Sequence, residues 1–150
     1  MKSDKLFKDY LKEIHSIARK GDAREESFYS ALKDLLERFA TATNHTDVNI
    51  TILPRPTDAG NPDFRVWNGQ DQIIGYIEAK DIGKSLDEAE KSEQLERYCD
   101  SLTNLILTDY LEFRWYVDGN LCVTARLGSP TKEGRIKWDK AWVAPDFSTT

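Results

Sequence analysis

The run GNPDFRVWNGQDQIIGYIEAK over residues 60–80 constrains the chain more than any other stretch. A strand-like segment follows Pro62-Asp63, turns through Asn68-Gly69 and returns as IIGYIEAK. Asn-Gly between two such segments is a hairpin signal, here with a connection of about five residues rather than two. Pairing Trp67 with Ile73 sets Asp63 opposite Ile77, one residue from Glu78. Side chains alternate across a strand, so Ile74, Tyr76, Glu78 and Lys80 share one face and Ile73, Gly75, Ile77 and Ala79 the other. The second face is fit to pack on a helix. The first ends in a carboxylate and an ammonium.

Around this hairpin the apolar spacing predicts further elements. Leu6, Phe7, Tyr10, Leu11, Ile14, Ile17 and Ala18 recur at helical intervals, with Gly21 as a stop and His15 beside the stripe as a surface residue. A second helix is expected over 23–41, where Phe28, Leu32, Leu35 and Phe39 form a ridge flanked by Tyr29 and Leu36. Glu25 projects near that buried face, an unusual place for a carboxylate. VNITILP reads as a strand ended by Pro54, and RPTDAGNP as the turn-rich approach to Asp63. Ser85-Leu-Asp-Glu88 is a capping-box pattern that opens a helix running to about residue 102, with Leu95, Tyr98, Cys99 and Leu102 as its apolar stripe. On that helix Gln94 and Tyr98 are neighbours. NLILT, LEFRWYV and LCVTARL supply more strands, the last two joined at Asp118-Gly-Asn120. The tail from Gly128 is turn-rich, with Lys132, Arg135, Lys137 and Lys140 among Trp138 and Trp142, and reads as a solvated or domain-contact surface.

At 150 residues, 39% hydrophobic and 31% charged, one globular domain is expected. The apolar runs are too short to span a bilayer. Cys99 and Cys122 form no metal-like spacing and are expected to be reduced, and two histidines leave little material for a zinc site or a serine triad. The net charge of −5 argues against nucleic acid less than it seems to, because residues 81–100 hold seven acids and three bases. The rest of the chain is close to neutral.

Two carboxylates brought to one point by adjacent strands suit a hard divalent cation, with oxygen ligands appropriate to magnesium. The Ala79 carbonyl is a candidate third oxygen. Lys80, on the same face as Glu78, is within reach of a water or a phosphate held there. Acid, acid and lysine around a metal are what phosphodiester hydrolysis requires. Each residue also has a plainer role open to it. Asp63 can cap a turn, Glu78 and Lys80 can be an exposed strand-end pair worth about 0–1 kcal/mol, and Glu25 can answer a helix dipole. Gln94 can be partly structural and Tyr98 mainly core.

Pro62-Asp63 followed by Glu78-Ala79-Lys80 resembles the PD-(D/E)XK nuclease superfamily. The Gly60-Asn61-Pro62 turn, Glu25 on a preceding helix and Gln94-Leu-Glu-Arg-Tyr98, which fits the family's QxxxY pattern, extend the resemblance over roughly residues 23–108. More narrowly, ESFYSALKDLLE, GNPDF, GYIEAKDIG and NLILTDYLEFRWYVDG look like the N-terminal nuclease module of single-chain restriction–modification enzymes of the type ISP and type IIG kinds.

The resemblance implies an α/β fold with a restriction-endonuclease-like core, a central mixed β-sheet flanked by helices. It implies a single nuclease domain over 1–150, an N-terminal fragment of a larger polypeptide that continues into helicase or methyltransferase domains. The activity implied is a Mg2+-dependent endodeoxyribonuclease, with Mn2+ able to substitute, that cuts double-stranded DNA to leave 5′-phosphates in a bacterial cytoplasm. Asp63, Glu78 and the Ala79 carbonyl would be metal ligands, and Lys80 would position or help deprotonate the attacking water. Glu25 would hold a second ion or its water, and Gln94 and Tyr98 would brace the site or contact the DNA backbone. Two rivals are an inactive nuclease-like docking module, which the intact Asp63, Glu78 and Lys80 argue against, and a junction-resolvase-like nuclease, expected to be a more basic dimer.

Overall fold

The computed structural model describes the backbone of residues 2–130 and 136–138, and the side chains of residues 5–129 apart from Glu25. Helix α1 (Lys2–Ala18) presents the expected stripe, with Tyr10, Leu11 and Ile14 all buried. It stops just before Gly21, whose φ of +79° lets its amide turn back to the Ala18 carbonyl at 3.2 Å. His15 is not simply a surface residue. It is half-buried, and its Nε2 is buried without a hydrogen-bond partner among the described residues. One position from Ile14 is a rotation of roughly 100°, which leaves the imidazole on the flank of the stripe rather than clear of it.

The second helix forms in two parts, a 3-10 turn at Glu25–Phe28 and α2 (Tyr29–Ala42). Its buried ridge of Phe28, Leu32 and Leu35 packs with α1 on one face of the sheet.

Six strands follow: β1 (Val48–Ile52), β2 (Phe64–Asn68), β3 (Gln72–Ala79), β4 (Asn104–Thr108), β5 (Glu112–Val117) and β6 (Asn120–Arg126). They lie in sequence order in one sheet, and every neighbouring pair is antiparallel except β3 and β4. That single parallel pair needs a crossover, which the short helices α3 (Leu86–Glu90) and α4 (Glu93–Ser101) supply. The sheet is therefore mixed, as expected. A further pair, β7 (Gly128–Pro130) with β8 (Ile136–Trp138), is described by backbone alone at Pro130 and in β8. Lys137 and Trp138 fall in β8, while Lys132, Arg135, Lys140 and Trp142 lie outside the described residues.

Strand alternation sorts the core into two layers. Ile50, Phe64, Ile77 and Ala79 join α1 and α2, while Leu105, Leu107 and Tyr116 join α3 and α4. Each fully buried Leu or Ile here contributes about 1.5–3 kcal/mol of transfer free energy. The result is helix, sheet, helix, with the C-terminal end of β3 enclosed between the helical layers.

One further detail departs from expectation. The helix expected over 85–102 breaks after Glu90, because Ser92 starts a second cap by accepting from the Leu95 amide at 3.2 Å, as Ser85 does from Glu88 at 3.2 Å. The acidic crossover is also tied to the sheet by ion pairs. Arg114 on β5 donates to Asp87 at 2.8 Å, Glu90 at 2.6 Å and Glu112 at 2.6 Å, and Tyr116 donates to Glu90 at 2.8 Å. These bonds fasten α3 across the sheet and raise the Arg114 pKa against the opposing effect of its burial. Cys99 and Cys122 are both free thiols.

Candidate functional site

The register of the β2–β3 hairpin decides where the two carboxylates meet. Trp67 pairs with Ile73 as expected, but a bulge between Val66 and Trp67 shifts the strands by one residue, so Arg65 faces Tyr76 and Phe64 faces Ile77. Asp63, one residue earlier, thus falls level with Glu78 rather than with Ile77. The bulge improves the meeting that simple pairing left one residue out. Gly75 in mid-strand was the available signal, since a strand glycine marks a bulge or a close approach; a Cβ there would lie 3.2 Å from the Asn104 carbonyl oxygen.

Asp63 is 9% exposed and Glu78 5% exposed, an unusual depth for two acids side by side. Asp63 is held at both oxygens. Oδ1 accepts from the Tyr29 hydroxyl at 2.6 Å, and Oδ2 accepts from the Ala79 amide at 2.8 Å. Hydrogen bonds to a charged acceptor contribute about 1.5–3 kcal/mol each, so the carboxylate is fixed before any ligand arrives. Tyr29 is itself fixed by an edge contact with Phe64 at 4.8 Å.

Glu78 is less well satisfied. Oε2 accepts from Lys80 Nζ at 3.3 Å, whereas Oε1 is buried with no hydrogen-bond partner among the described residues. Burial first, and then the neighbouring Asp63 charge, push the Glu78 carboxyl up to about 8, with Lys80 pulling the other way. Lys80 is steered from the opposite side by Gln94, whose Oε1 accepts from Nζ at 2.9 Å, and Gln94 Nε2 donates to the Tyr98 hydroxyl at 3.4 Å. The break at Ser92 leaves Gln94 and Tyr98 on one face of α4, aimed at the end of β3.

Beneath α4 lies the approach loop. Gly60 has φ +132°, and a Cβ on it would come within 3.2 Å of the Tyr98 ring. Arg97 Nε donates to the Ala59 carbonyl at 3.4 Å. Tyr98 is thus both core, at 1% exposure, and the far end of a polar chain reaching Glu78 through Gln94 and Lys80.

Asp63, Glu78, Lys80, Gln94 and Tyr98 therefore come together. The backbone of Glu25 opens the 3-10 turn that leads to Tyr29, and its side chain lies outside the described residues. Among the described residues no group of three or more His, Cys, Asp or Glu side chains is arranged to hold a metal ion. The donor set present is two carboxylates, with a backbone carbonyl at Ala79 between Glu78 and Lys80. A divalent cation fits this set on chemical grounds, since it would answer the orphaned Glu78 oxygen and the repulsion between the acids together. Tyr29 was missed as a site residue because its spacing reads as core ridge, and its hydroxyl was the only hint of a second role.

No family model matches the sequence, and no curated protein matches it. Among solved structures, the chain is similar to part of a chain in the cryo-EM structure of a DrdV–DNA complex, with TM-score 0.65 and 22% identity. The similarity covers 81% of this chain and 12% of the other, so this chain spans about an eighth of its neighbour's length. The fold is accordingly α/β with a restriction-endonuclease-like core, a six-stranded mixed sheet between two helical layers.

Proposed function

We propose that this chain is the nuclease domain of a restriction–modification enzyme, a Mg2+-dependent endodeoxyribonuclease that leaves 5′-phosphates. The observation that carries the proposal is the buried Asp63–Glu78 pair, with one Glu78 oxygen lacking a hydrogen-bond partner among the described residues and the Lys80 ammonium 3.3 Å from the other. The PD and ExK pattern, and a fold shared with a protein seen in complex with DNA, support it.

In this reading Asp63, Glu78 and the Ala79 carbonyl would hold the ion, with Mn2+ able to substitute for Mg2+. When bound, the ion supplies charge neutralisation and a lowered pKa for water. The protein's own residues do the rest. Tyr29 and the Ala79 amide hold the Asp63 carboxylate against rotation. Lys80, kept on station by Gln94, orients the attacking water and a non-bridging phosphate oxygen. Tyr98 braces Gln94 from the core, and Glu25 would hold a second ion or its water. Helicase or methyltransferase domains in the same polypeptide supply most of the sequence recognition, since the described domain offers no recognition helix or dominant basic stripe of its own.

The test is cleavage of supercoiled plasmid by the chain with Mg2+ or Mn2+ at low salt. Conversion to open circles or linears, with ends that ligate without kinase treatment, is the expected result. Lys80→Ala should lower the rate by at least about 100-fold. Cleavage that persists in EDTA, or that is unchanged in folded Lys80→Ala, would overturn the assignment.

A further inference from the structure

Beside the acid pair lies a second feature that the nuclease reading does not use. Arg65 sits on β2 opposite Tyr76, and strand alternation puts Tyr76 on the same face of β3 as Glu78. The Arg65 guanidinium lies 5.5 Å from the Tyr76 ring centroid and 5.8 Å from that of Trp67. Trp67 is fixed in turn, with its indole N–H donating to Thr51 on β1 at 3.0 Å. Arg65 Nη2 donates to the Arg55 carbonyl at 3.0 Å. The planar cation is therefore held by two rings and a backbone acceptor, with little rotamer freedom left.

Among the described residues no carboxylate lies within ion-pair distance of Arg65, and its Nε is buried without a hydrogen-bond partner. The similarly half-buried Arg114 is met by three carboxylates. Desolvating a guanidinium is costly unless an anion or acceptor answers it. Arg55, exposed in the approach loop, adds a second cation nearby. The stack stands two residues, roughly 7 Å of strand, from the Asp63–Glu78 level.

We propose that Arg65, held against the Trp67 and Tyr76 rings, is a phosphate-binding residue that seats the DNA backbone beside the acid pair. The inference rests on the nuclease reading for the identity of the ligand. A preoriented guanidinium presents its remaining donors as a fork that fits phosphate oxygens. It would set the register of the strand so that a neighbouring phosphodiester falls at Asp63 and Glu78.

The experiment is fluorescence anisotropy of a labelled 25-base-pair DNA duplex, titrated with the full chain at several NaCl concentrations without divalent ions. Wild type, Arg65→Gln and Arg65→Lys are compared, and thermal melting is recorded for each. Expected are several-fold weaker binding by Arg65→Gln, a salt slope about 1 smaller in magnitude, and retention of the slope by Arg65→Lys. Weaker binding with an unchanged slope would mean a structural stack and would overturn the proposal. So would unchanged binding by a folded Arg65→Gln, or a wild type whose binding does not depend on salt. Magnesium titration of Asp63→Ala separates the two readings, since it tests the acid pair without DNA. Loss of magnesium there with no effect at Arg65 would leave the nuclease reading standing and remove this inference alone.

Discussion

Glu78→Gln should stabilise the metal-free domain, and by an amount that depends on pH. The Glu78 carboxyl is raised from 4.5 to about 8 by burial and by Asp63, so in the folded chain it binds its proton more tightly than in the unfolded chain. Below pH 4.5 both states are protonated and nothing is lost. Between 4.5 and 8 the unfolded state releases the proton while the folded state keeps it, so stability falls as pH rises, by about 1.4 kcal/mol per unit at most. Above 8 the loss is complete. From pH 5 to pH 7 the cost therefore grows by roughly 2–3 kcal/mol, and glutamine, which does not titrate, escapes it. Glutamine is close to the same shape and its amide oxygen can still accept from Lys80.

Urea unfolding of both proteins in EDTA at pH 5 and pH 7 measures the difference directly. The variant's advantage should be small at pH 5 and larger by the stated amount at pH 7. Adding saturating Mg2+ at pH 7 should reverse the order, because the ion stabilises only the protein that can hold it. An advantage that is the same at both pH values would refute the raised carboxyl. A wild type unaffected by Mg2+ would refute the reason given for it.

Tyr29→Phe removes one hydrogen bond to Asp63 while keeping the ring contact with Phe64, and should cost about 1.5–3 kcal/mol in stability and several-fold in magnesium affinity by calorimetry. Gly60→Ala forces a side chain into φ +132° and against Tyr98, and should lower stability by roughly 1–3 kcal/mol in denaturant. Ser92→Ala removes the second cap of the crossover and should cost about 1 kcal/mol, with reduced cleavage as Gln94 loses its orientation toward Lys80.

Much of this arrangement could be read from residue order because it is built from local signals. Apolar periodicity located α1, α2 and the strands, and the spacing of Gln94 and Tyr98 put them on one helical face. Pro62-Asp63 and Glu78-Ala79-Lys80 marked the two strands that carry charge to one end of the sheet. What escaped depended on partners far away in sequence. The bulge at Val66–Trp67 arises from the fit of two strands, and it alone brings Asp63 level with Glu78. Ser92 stops a helix whose apolar stripe runs on past it, so a local cap overrode a longer pattern. Tyr29 reaches Asp63 across the fold, and Arg114 gathers acids that the sequence showed only as a concentration of charge. The Arg65 stack needs β2 and β3 side by side before its three members meet.

The most direct test of the acid pair is calorimetric titration of Mg2+ and Mn2+ into the chain and into Asp63→Ala, both checked for native melting. It needs no DNA, whose affinity for a net acidic domain is expected to be weak. Binding to the wild type that disappears in Asp63→Ala is the expected result, and it would establish the carboxylates as the seat of the ion. Equal titrations by two folded proteins would contradict the account, leaving a nuclease-like scaffold without the metal chemistry.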